Sequence, residues 1–79
     1  MKLTGLYNKI QAIIDSADEK IGALEEQRDG IEQKALDNDR DMTEREEERY
    51  DAIDEQIDCI RECMDYLEYA MSSIEDYTD

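Results

Sequence analysis

Two long stretches of this chain repeat apolar residues at alternating steps of three and four. In the first, Leu3, Tyr7, Ile10, Ile14, Ala17, Ile21, Leu24, Arg28, Ile31 and Ala35 keep the rhythm. In the second it is Tyr50, Ile53, Ile57, Ile60, Met64, Leu67, Met71 and Ile74. Sustained spacing of this kind marks the seam of a helix packed on a neighbouring helix, and only Arg28 interrupts it with a charge. Between the seams, Asp37-Asn38-Asp39-Arg40-Asp41 is rich in side chains that compete for backbone hydrogen bonds and favour turns. Thr43 and Glu46 then have capping-box spacing, in which the hydroxyl accepts from the backbone N–H of Glu46 and the carboxylate accepts from that of Thr43. Glu44, Glu46 and Glu47 also suit the positive end of a helix dipole.

The pattern predicts an all-α fold, with helix 1 over about 3–37 and helix 2 over about 43–77. A short connection makes them antiparallel neighbours in one helical-hairpin domain covering 1–79. Arg28 is expected to pair with an acid across the seam, such as Asp54, and fix register. Gly5, Gly22 and Gly30 lie off the seam, where a tolerated glycine is the simpler expectation and a close helix–helix approach the alternative.

A lone pair of long helices encloses little core, and chains this small usually draw stability from a metal, a disulfide or another chain. Beside the seam of helix 2 runs a strip of Ala52, Cys59, Cys63, Tyr66, Ala70, Ser73 and Tyr77. Leu6 and Ile13 widen the apolar arc of helix 1, and antiparallel folding brings them beside Cys63, Leu67, Ala70, Met71, Ile74 and Tyr77. The open end of the hairpin is therefore a candidate docking surface for a partner or a second copy. With a second copy the product is a four-helix-bundle homodimer.

Composition narrows the function classes. There are 24 Asp+Glu against 9 Lys+Arg, giving a net charge of −15, and no His, Pro, Trp or Phe. Such a balance disfavours direct binding to nucleic acid or to anionic membrane. Missing histidine removes the commonest general base and metal ligand, so an enzyme is not expected and no cofactor is implied. No apolar run approaches the length of a bilayer span, and no signal-peptide pattern precedes the first seam, so a cytoplasmic protein is expected.

The charge is also unevenly spread. Residues 1–40 hold nine acids against six bases, and residues 41–79 hold fifteen against three. On helix 2, Glu44, Asp51, Asp58 and Asp65 repeat every seven residues, with Glu48, Glu55 and Glu62 in the adjacent row. Glu47, Asp54, Glu68 and Glu75 extend that surface. Carboxylates three or four residues apart on a helix lie about 5–6 Å from each other and repel. Three readings compete: a solvated face that maintains solubility, an acidic surface that docks within an assembly, and a negative rod that occupies a basic nucleic-acid-binding groove on another protein. Tyr69 stands among the acids, as a binding-surface aromatic or an ordinary surface residue.

Two smaller constellations remain. Asp37, Asp39, Asp41, Thr43 and Glu48 occupy ligand positions of a calcium-binding helix–loop–helix, but Met42 stands where the sharp turn wants glycine. Cys59 and Cys63 lie one turn apart. They fit the disulfide geometry poorly, and without histidine they cannot complete a zinc site within one chain. Two copies could supply four thiolates, although burial as small apolar residues is the simpler expectation for both.

The segment Arg40-Asp41-Met42-Thr43, Glu46-Glu47, Arg49-Tyr50-Asp51-Ala52-Ile53 and Ile57-Asp58 to Ile60 resembles a helical segment near the N-terminus of many tailed-phage major capsid proteins, the delta domain that directs shell assembly. In size and charge the chain is also similar to small phage-borne inhibitors, including some anti-CRISPR proteins that mimic DNA. Both resemblances imply a phage or prophage origin and residence in a bacterial host cell. One implies an assembly module; the other implies a non-enzymatic inhibitor whose partner is a basic protein.

Overall fold

A computed structural model shows the chain as two antiparallel helices, and describes residues 3–77. Helix α1 spans Thr4–Asp37 and α2 spans Glu44–Ile74, followed by a single 3₁₀ turn at Glu75–Tyr77. No described residue lies in a strand. The hairpin measures 60 × 15 × 12 Å, and its radius of gyration of 17.8 Å far exceeds the roughly 12 Å of a compact chain of this length.

Both ends of the connection are closed by local hydrogen bonds. At the end of α1, Asp39 enters the left-handed region with φ 49°, while the N–H of Arg40 donates to the carbonyl of Ala35 at 3.1 Å. The N–H of Asp39 donates to the carbonyl of Leu36 at 3.0 Å. This is a Schellman arrangement with aspartate in the place usually taken by glycine. At the start of α2, the Glu46 N–H donates to the Thr43 hydroxyl at 3.1 Å and the Thr43 N–H donates to the Glu46 carboxylate at 2.9 Å. The capping box is thus complete, as its spacing predicts.

The seam positions form the core. Ile21, Leu24, Ile31, Ile53 and Ile57 make one contiguous buried cluster, with Met42, Ile60 and Met64 packed against it. Ile57 is fully buried at 0% exposure. The cluster runs from the loop to just past the middle of the hairpin, where Ile60 and Met64 close it. Toward the open end only Ile14 and Met71 are buried among the described residues, and a backbone bond from Leu3 N–H to the Tyr77 carbonyl at 3.2 Å ties the two arms of the hairpin together. Arg28 reaches across the seam to Asp54 at 2.8 Å, with its guanidinium 5.9 Å from the centre of the Tyr50 ring. A Cβ at Gly5, Gly22 or Gly30 would meet nothing within 4 Å, so none of the three marks a close helix approach.

Candidate interaction faces

Two cylinders in contact have a single buried seam and two flanks. Along one side of the hairpin a groove is lined by Ile13, Ser16, Ala17, Lys20, Ile60, Cys63 and Leu67. Along the other, Tyr7, Gln11, Ile14, Glu68, Met71, Ser72 and Glu75 come together. The first groove therefore gathers the residues immediately preceding seam positions on both helices, and the second gathers those immediately following. The reason is geometric: in an antiparallel pair with facing seams, the preceding flanks of both helices fall on the same side.

Charge follows this division closely. The residues after seam positions include Asp15, Asp18, Glu25, Asp29 and Glu32 on α1, and Asp51, Asp54, Asp58, Asp65 and Glu68 on α2, with Glu75 in the turn that follows it. The described residues before seam positions are Leu6, Lys9, Ile13, Ser16, Lys20, Ala23, Gln27, Gly30 and Lys34 on α1. On α2 they are Arg49, Ala52, Gln56, Cys59, Cys63, Tyr66, Ala70 and Ser73, and not one residue of either set is acidic. Arg45 belongs with them, since it precedes the half-buried Glu46 that continues the seam. One face of the hairpin is acidic on both helices; the opposite face has no carboxylate among the described residues.

The acidic face is broader than the α2 surface expected from the sequence. Arg61 approaches Glu25 at 3.9 Å, and Arg28 lies 3.4 Å from Asp29 and 4.0 Å from Glu25 as well as bonding Asp54. These contacts place the α1 acids beside those of α2. Hydrogen bonding to Asp54, foremost, raises the Arg28 pKa above its ordinary value, so the cation is held charged at the seam. Asp54 is half-buried and committed to this pair. Glu44, Glu47, Glu48, Asp51, Glu55, Asp58, Glu62, Asp65 and Glu68 are exposed and have no ion-pair partner among the described residues. Tyr69 stands out from the surface at 75% exposure. The α1 contribution was legible in principle from the rule that acids follow seam residues; reading each helix alone hides it.

The acid-free face divides along its length. Its open half carries Leu6, Ile13, Cys59, Cys63, Tyr66 and Tyr77 together with Lys9 and the groove-lining Lys20, whereas its loop half carries Lys34, Arg45, Arg49, Gln27 and Gln56. Of the expected apolar-end residues, Met71 is buried in the seam and Leu67, Ala70 and Ile74 are half-buried. Leu6, Ile13, Cys63 and Tyr77 face outward. Cys59 and Cys63 are exposed thiols, contrary to the burial expected for them. The reason is that a two-helix layer covers only its seam, and both cysteines sit one position outside it.

The loop does not assemble a calcium site. Asp37 closes α1 and accepts from Gln33 at 2.8 Å, the Thr43 hydroxyl is taken by the Glu46 N–H, and Glu48 projects from the first turns of α2 into solvent. Arg40 occupies the turn instead, gripping Glu46 with both nitrogens at 2.7 and 3.3 Å. That grip, with the Thr43 N–H, lowers the Glu46 pKa to about 2. Among the described residues no group of three or more acidic or cysteine side chains is arranged to hold a metal. No described helix is long and apolar enough to cross a membrane.

No protein family, curated protein or solved structure matches this chain.

Proposed function

We propose that this chain is a non-enzymatic interaction protein whose acidic face seats on a basic, nucleic-acid-binding surface of another protein and blocks it by charge mimicry. The observation that carries the reading is one-sidedness. Charge that serves only solubility has no reason to avoid one face, and crowding carboxylates on the other costs stability through repulsion. Counting both helices, the acidic face sets a carboxylate roughly every 4–5 Å of axis, a sparser version of the about 1.7 Å per charge in duplex DNA. The rod is held straight by its seam, so a partner need not order it on binding.

The test is competition. The immobilised chain, exposed to an extract of its own source cells, should retain proteins that duplex DNA releases and that elute as salt rises. Replacing Asp51, Asp58 and Asp65 together with Lys should abolish retention while circular dichroism shows the helices intact. Retention that survives the replacement, or ignores salt and DNA, overturns the proposal. An assembly role is the second reading, favoured by the exposed apolar residues of the acid-free face. Under that reading Ile13→Asp or Tyr66→Asp abolishes activity and the charge reversals leave it unchanged.

A further inference from the structure

We infer that the open half of the acid-free face is the contact between two copies of this chain, joined tail to tail with their loops pointing outward. Three observations select a second copy and this arrangement. The first is area. The chain exposes 6055 Å², whereas a compact protein of its 9.3 kDa mass exposes roughly 5000 Å². The excess is close to the roughly 800 Å² that each partner gives to a standard interface. Leu6, Ile13, Tyr66 and Tyr77 are 49%, 53%, 69% and 63% exposed, and with Cys63 they supply apolar contact surface around an open groove.

The second observation is charge. A copy carrying −15 is repelled by every surface that bears carboxylates, and only the acid-free face permits close approach. The third is the lengthwise division of that face. Full overlap with both loops at one end would set Lys34, Arg45 and Arg49 against their own equivalents. Full overlap with loops at opposite ends would cover Ile13 and Tyr77 with those same cations and desolvate them. Sliding the copies until only their open halves overlap, about a two-fold axis perpendicular to the rods, pairs apolar surface with apolar surface and leaves Lys34, Arg45 and Arg49 in water; Lys9 and Lys20 stay in the overlapped half, where their long stems let the ammonium groups reach solvent. The acidic faces then look away from the contact, free for a partner.

Overlap of about 20 residues at 1.5 Å per residue covers about 30 Å, so two 60 Å rods give a particle about 90 Å long. Light scattering with small-angle X-ray scattering on the full chain at about 100 µM reads both mass and length. A dimeric mass with a maximum dimension near 90 Å is the expected result. Ile13→Asp, at a half-exposed position that leaves the hairpin folded by circular dichroism, should weaken the dimer at least about tenfold. Arg49→Glu should leave it unchanged. A monomer at this concentration, a dimer only about 60 Å long, open-ended growth with concentration, or loss of the dimer in Arg49→Glu overturns the inference. Salt separates this contact from the partner-binding one: screening strengthens association between like-charged copies and weakens binding to a basic protein.

Discussion

The loop half and the open half of this hairpin are built from the same heptad rhythm and differ in how far they complete themselves. Near the loop, the seam is a continuous cluster around Ile57, the turn is closed by a Schellman motif and a capping box, and Arg28–Asp54 and Arg40–Glu46 tie the elements together. Near the open end, burial falls to Ile14 and Met71, and large apolar side chains stand half in water. The difference teaches that periodicity specifies a helix pair, whereas a stable interior also needs side chains that can reach across the seam. One half is finished within the chain; the other has surface left for an additional contact.

The contrast is sharpest in the core. Ile57→Ala should cost about 3 kcal/mol in denaturant unfolding, because among the described residues it removes the only fully buried large side chain, at the centre of the cluster. Met71→Ala, measured on dilute monomer, should cost clearly less, since Met71 lies outside the contiguous core cluster; equal costs would erase the distinction between the halves. Next comes the cap. Thr43→Ala should lose about 1 kcal/mol by orphaning the Glu46 N–H.

Glu46 adds a pH signature to the same cap. Its folded pKa of about 2 lies below the ordinary value of 4.5, so its contribution is fully present above pH 4.5 and disappears as pH falls toward 2. The stability gap between the wild-type chain and Glu46→Gln should therefore be constant near neutrality and close across that acidic window. A gap that stays open at pH 2 would show that the Arg40 grip is unimportant.

Smaller effects probe the turn and the outer surface. Asp39→Gly should stabilise by about 0.5 kcal/mol, relieving a positive φ at the price of some unfolded-state entropy. Ile13→Ser should change monomer stability by less than about 0.5 kcal/mol, as expected for a residue lying outside the seam. A large loss of monomer stability there would mean that the open end holds a core of its own.

Much of this architecture was legible beforehand. The seams, the helix bounds to within a few residues, the Thr43–Glu46 box and the Arg28–Asp54 pair all follow from spacing, because each depends on contacts a few residues apart or on the alignment that a short loop enforces. Cys59 and Cys63 were misread as buried, since an apolar strip beside a seam is covered only where a second layer of helices exists. The calcium alternative failed for a local reason: Thr43 and Asp37 are already used in finishing helices, and Arg40 takes the space between them.

The amino-acid order by itself determined two helices, the Thr43 cap of the second, their antiparallel pairing and the excess of negative charge, all of which arise from short-range periodicity and composition. Tertiary structure alone decided that residues following the two seams merge into one acidic face and those preceding them into one face without acid. A helix viewed singly has no inside-facing partner to define its flanks; only when two seams are pressed together do distant rows become neighbours, and charges separated by dozens of residues act as one surface.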